Sequence, residues 1–172
     1  MSQKLSMRTS ALVWLLLSVC VIVADQAIKF IVVDVLEPYV AHPVIPGILN
    51  WTLAFNTGAA FSFLADQQGW QRWFFTLLAI GVTAVLANWL RRTSRGDWRT
   101  ALPLALVIGG ALGNLIDRIR LGHVIDFIQV YLGTWPFPSF NIADSAISVG
   151  AVLLVLFSLF AHDKPATKAA PR

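Results

Sequence analysis

Long apolar runs alternate with short polar connections along this chain. Four runs stand out, at about residues 11–33, 73–90, 101–119 and 142–161. Each has roughly the 17–25 residues that carry an α-helix across about 30 Å of hydrocarbon. Helix is the expected form, because lipid offers backbone N–H and C=O groups no partner. Four strands cannot close a barrel, and these runs are too long and too uniformly apolar for barrel strands. The pattern predicts a mainly α membrane fold of four transmembrane helices.

The connections differ in character. Residues 34–72 hold Pro38, Pro43, Pro46 and Gly47, then the alternating stretch ILNWTLAF. Proline and glycine mark turns, and alternation marks short strands. A small extracytoplasmic β-platform is therefore expected between spans 1 and 2. Residues 120–141, with GTWPFPSF, read as a short outer helix or loop between spans 3 and 4. Residues 1–163 are expected to form one membrane domain, and residues 164–172 a disordered cytoplasmic tail.

Composition supports lipid as the solvent. The chain is 57% hydrophobic and 13% charged, against about a quarter charged in soluble domains. The net charge of +4 does not point to nucleic acid, because the basic residues flank apolar runs. Lys4, Arg8, Arg91, Arg92, Arg95, Arg99, Lys164, Lys168 and Arg172 fall on one side if the chain crosses four times. By the positive-inside rule both termini are then cytoplasmic. Cys20 is the single cysteine, which excludes an intrachain disulfide. LSVC, residues 17–20, is similar to a lipoprotein cleavage box, but Val19 is large and the apolar run continues past Cys20.

Topology sorts the nine acidic residues. Asp34, Glu37, Asp66, Asp97 and Asp163 fall in connections and read as solvated. Asp25 lies inside span 1 with Lys29 four residues later, the favourable order for a helical ion pair. Intramembrane charges are usually paired, so a structural role is expected for both. Gly110, Asn114, Asp117 and Arg118 recur at helical spacing on one face near the outer end of span 3. That face serves either interhelical hydrogen bonding or a polar wall for a peptide backbone.

Asp126 follows span 3 and Asp144 opens span 4, so both fall near the outer interface. Neither has Lys or Arg within four positions. Two unpaired acids in a half-dry site share a proton. One takes a proton from water while the other protonates a carbonyl oxygen, which is aspartic-peptidase chemistry. The bland alternative is that Asp144 caps span 4. A serine–lysine dyad of Lys29 with Ser62 or Ser145 fares worse, since Lys29 already has Asp25. No metal motif is present, and His123-x-x-Asp126 supplies two ligands at best. A small proton-coupled transporter subunit, using the same acids as a relay, and a membrane scaffold remain as rivals.

Four blocks carry a resemblance: ADQAIKF around Asp25, FNTGAAFS at 55–62, GGALGNLIDRIRLGHVIDFI at 109–128, and FNIADSAIS at 140–148. In this order the chain resembles bacterial lipoprotein signal peptidase, or signal peptidase II, an intramembrane aspartic peptidase. The resemblance implies removal of signal peptides from prolipoproteins, before a cysteine carrying diacylglyceride, without a cofactor. It implies Asp126 and Asp144 as catalytic residues. Asn56, Gly110, Asn114, Arg118 and Asn141 would bind substrate or a globomycin-type inhibitor. Asp25, Lys29 and Asp117 would be structural polar residues, and residues 34–72 a β-cradle on the membrane surface. Implied partners are prolipoproteins and membrane lipid, in the bacterial inner membrane, with the site near the periplasmic face.

Overall fold

The computed structural model describes residues 10–58 and 70–160. A 3-10 turn, Ala11–Trp14, leads into α1, Leu15–Val35. Strands β1, Ala41–Ile45, and β2, Leu49–Asn56, follow. Next come α2, Trp70–Arg92, and α3, Trp98–Arg120. Strands β3, Val124–Leu132, and β4, Trp135–Pro136, precede α4, Ile142–Phe160. All four α-helices are long and apolar enough to cross a membrane. Ser62, Asp66, Asp163 and the charged ends of the chain lie outside the described residues.

Helix α3 is the hub. About 67% of its apolar window is buried, against 22%, 11% and 17% in α1, α2 and α4. The other three helices pack around it and turn apolar faces such as Leu16, Phe30, Leu77 and Leu159 outward. That distribution suits lipid, which does not drive helices together by the hydrophobic effect, so close van der Waals packing must. Small residues provide it. A Cβ on Gly110 would run into the carbonyl oxygen of Ala143, and one on Gly150 would sit 2.8 Å from that of Pro103. Glycine at both points lets the backbones of α3 and α4 touch. Between α1 and α3, the Ser18 hydroxyl donates to the Ala105 carbonyl at 2.7 Å.

The connection between α3 and α4 differs from the predicted helix or loop. It is strand, and it completes an antiparallel sheet of order β1-β2-β3-β4. Strand β3 is covered on both faces: Val124, Ile125, Asp126 and Phe127 are all buried. Such a strand shows no alternation, and a short apolar run cannot be typed by periodicity. Gly122, at φ +85°, and Gly133, at φ +67°, make the turns that bracket it. Strands β1 and β2 from the first connection and β3 and β4 from the second thus form one platform. Helices α1 and α2 also reach further toward it than predicted, to Val35 and from Trp70.

The glycine contacts give a paired expectation. Gly150→Ala should cost about 1–3 kcal/mol by overpacking. Gly81→Ala in α2, where a Cβ meets nothing within 4 Å, should gain about 0.5–1 kcal/mol from helix propensity. Thermal unfolding in detergent checks both; equal effects would show that the α3–α4 approach is not tight.

Candidate active site

The site is built on the N-terminus of α4. Asn141 precedes the helix, and its Oδ1 accepts from the backbone N–H of Asp144 at 2.8 Å. Asp144 returns the bond, its Oδ2 accepting from the Asn141 N–H at 3.2 Å. This reciprocal pair is a capping box, so Asn141 holds the cap position predicted for Asp144. A carboxylate here also favours the positive end of the helix dipole. The Ala143 N–H donates to Asp25 Oδ1 at 3.0 Å.

The Asn141 amide also reaches the sheet. It is fully buried, and its Nδ2 donates to Asp126 Oδ1 at 2.7 Å and to Asn114 Oδ1 at 3.1 Å. Asn114 in turn donates to Asp144 Oδ1 at 2.7 Å. Asp126 comes from β3, opposite Ala54 of β2, with Asn56 opposite Val124. Asn56 is thus the diagonal same-face neighbour of Asp126, and its Nδ2 donates to Asp126 Oδ2 at 3.1 Å. Asp126 and Asp144, eighteen residues apart in sequence, each accept two N–H bonds through this network.

Behind it lies a second layer. Lys29 Nζ is 2.8 Å from Asp25 Oδ2 and 2.8 Å from Asp117 Oδ2, and it donates to Asn114 Oδ1 at 3.1 Å. Gln26 bridges to Asp117 Oδ1 at 2.8 Å, and Asp117 Oδ2 accepts the Ile125 N–H at 3.2 Å. An ammonium saturated in this way is tolerable in a dry interior, whereas an unpaired one is not. Lys29 has no hydrogen bond to Ser145, whose hydroxyl donates to the Asn141 carbonyl at 2.9 Å.

Four acids, Asp25, Asp117, Asp126 and Asp144, face two cations, Lys29 and Arg118. Lys29 is committed to the second layer, which leaves Asp126 under-compensated. Its pKa is pushed up from 3.8 to about 7, first by burial and then by the charge of Asp144; bonds from Asn56 and Asn141 and the Lys29 charge oppose the shift.

A cavity of about 550 Å³ opens in front of Asp144, lined also by Asn56, Asn114, Arg118, Ser145 and apolar groups including Phe137 and Val149; Asp126 lies behind Asn56, which bonds to it. The Arg118 guanidinium lies 5.4 Å from the centre of the Phe75 ring and donates to the Asn114 and Gly58 carbonyls at 3.4 and 3.5 Å. Gly110 lies at the α3–α4 contact, against the Ala143 carbonyl one residue from Asp144. Gln26 was not singled out as a site residue, although an amide inside an apolar span is itself a signal of a buried polar partner. His123 packs against Phe55, with ring centroids 4.8 Å apart.

Known proteins settle what this arrangement belongs to. A family model described as Signal peptidase (SPase) II matches residues 17–160. The chain belongs to the signal peptidase II family. It is 61% identical over 151 residues to the lipoprotein signal peptidase of Xanthomonas campestris pv. campestris (strain 8004), covering 88% of this chain and 90% of that one. The lipoprotein signal peptidase of Xylella fastidiosa (strain M12) is 56% identical over the same share of this chain. Two solved structures of a bacterial membrane enzyme, each 30% identical, cover 92% of this chain with TM-scores of 0.79 and 0.75. The chain is therefore a multi-pass membrane aspartic peptidase of this family. The transporter and scaffold readings are set aside.

The raised Asp126 value has a consequence for stability. Below pH 3.8 the group is protonated whether folded or unfolded. Between 3.8 and about 7 the unfolded chain ionises while the folded signal peptidase II keeps its proton, so stability falls as pH rises and levels off above 7. Unfolding temperatures in detergent from pH 4 to 8 should show this decline, and Asp126→Asn should flatten it. A decline of the same size in the variant would assign it to another group.

Proposed function

We propose that this enzyme hydrolyses the peptide bond immediately before a diacylglyceryl-modified cysteine, with Asp126 and Asp144 activating water. The observation that carries the reading is the junction at Asn141, whose one side chain bonds to both carboxyl-bearing residues, one from a strand and one from a helix end. With one proton between them, the ionised carboxylate takes a proton from water and the neutral one protonates the scissile carbonyl oxygen. On collapse of the tetrahedral intermediate the carboxyl that took the proton from water gives it to the departing amine, and the other carboxylate recovers its proton from a hydroxyl of the intermediate as the new carboxyl group forms.

Access from lipid supports the substrate class. A groove of about 360 Å³, lined by Phe75, Leu78, Val82, Val107 and Ile147, also includes Asn114, Arg118 and Asp144. It therefore runs from an apolar wall to Asp144. A signal helix lies along it and unwinds at the site, where Asn56, Asn114 and Arg118 offer bonds to freed backbone groups. A globomycin-type cyclic peptide would inhibit by filling the same space. The sheet faces the periplasm and both termini the cytoplasm of a bacterial inner membrane, because Arg91, Arg92, Arg95 and Arg99 lie at the helix ends away from the sheet.

Asp126→Asn and Asp144→Asn should each lower cleavage of a diacylglyceryl-modified precursor by at least about a hundredfold, with helical content unchanged by circular dichroism. Near-normal cleavage by either variant would refute the dyad. An unmodified precursor should be cut poorly; equal rates would refute the requirement for the lipid.

A further inference from the structure

A second polar cavity, of about 290 Å³, opens between α1 and α3 at their sheet-side ends and shares no residue with the cavity at Asp144. Its floor is Lys29 and Asp117, whose charges are already met by Asp25, Asn114, Gln26 and the Ile125 N–H. Its rim is different. Asp34 and Arg120 both line it and both are exposed, yet neither has a hydrogen-bond or ion-pair partner among the described residues. They lie one residue from the end of α1 and at the end of α3. That is the depth of the headgroup layer if these helices span the bilayer. Phe30 and Val33, on the same wall, are 79% and 46% exposed and face hydrocarbon below it.

We propose that this cavity binds the headgroup of a phospholipid carrying a phosphate and a primary ammonium. The Arg120 guanidinium is a planar fork of donors suited to phosphate. The Asp34 carboxylate and the Gln26 Oε1, which has no partner among the described residues, accept from the ammonium. A quaternary choline has no N–H to give them, and a headgroup with negative charge alone meets Asp34 unfavourably. The acyl chain runs down Phe30 and Val33. A lipid held here clasps α1 to α3 beside Lys29, which reaches Asp144 through two hydrogen bonds and one residue, Asn114.

Native mass spectrometry of the purified full chain in detergent, titrated with dioleoyl lipids, tests the site. Phosphatidylethanolamine should be retained about tenfold more tightly than phosphatidylcholine, and Arg120→Gln and Asp34→Asn should each reduce that retention about tenfold, the loss of one charge-assisted contact. Equal retention of the two lipids, or retention unchanged in both variants, would overturn the proposal and leave only annular lipid. Tighter binding of phosphatidylglycerol, dependent on Arg120 and indifferent to Asp34, would overturn it in favour of a plain anion site.

Discussion

One buried carboxamide, that of Asn141, is tied at once to the start of α4, to β3 and to α3. Its oxygen caps α4 through the Asp144 N–H, while its nitrogen donates to Asp126 and Asn114. In a dry interior each of these groups needs a partner, and an unmet one costs on the order of 1–3 kcal/mol. The amide therefore does more than fill space. It fixes where the sheet sits relative to the helix end, and with that the placement of two carboxyl groups that have no covalent reason to meet.

The same constraint organises the layer behind. Lys29 is accommodated in the bundle because Asp25 and Asp117 flank it, and those acids in turn accept backbone N–H groups from α4 and β3. Neutralisation and secondary-structure termination are met by the same atoms. The second layer, once closed on itself, leaves little positive charge for the front pair. This is the electrostatic setting in which one proton is shared between Asp126 and Asp144 in the proposed mechanism.

Much of this was legible in the chain and some was not. The four helices were, because lipid forces backbone self-satisfaction and leaves twenty-residue apolar runs no other form. The pairing of Asp25 with Lys29 was too, since the i,i+4 spacing is local. The role of β3 was not. A strand buried on both faces shows no alternation, and its partner β2 lies some seventy residues earlier. Without that pairing the contact of Asn56 with Asp126 is invisible. Asn141 rather than Asp144 holds the cap of α4, a choice hidden in the chain because either residue is a good cap and only the helix start decides. Gly110, a glycine on the polar face of span 3, is suited to close approach, and there α3 and α4 touch. Topology already put Asp126 and Asp144 at one membrane level, and the family resemblance implied the same two acids.

The claim on which everything else rests is that Asp126 and Asp144 hold one proton between them at neutral pH. Infrared difference spectroscopy counts protonated carboxyl groups directly in the folded, membrane-reconstituted enzyme. The expected result is a single protonated carboxyl band near neutral pH, lost in Asp126→Asn and titrating at lower pH in Asp144→Asn, where burial still holds the Asp126 proton but the neighbouring charge is gone. Absence of the band from the unaltered enzyme, or its survival in both variants, would contradict the shared proton.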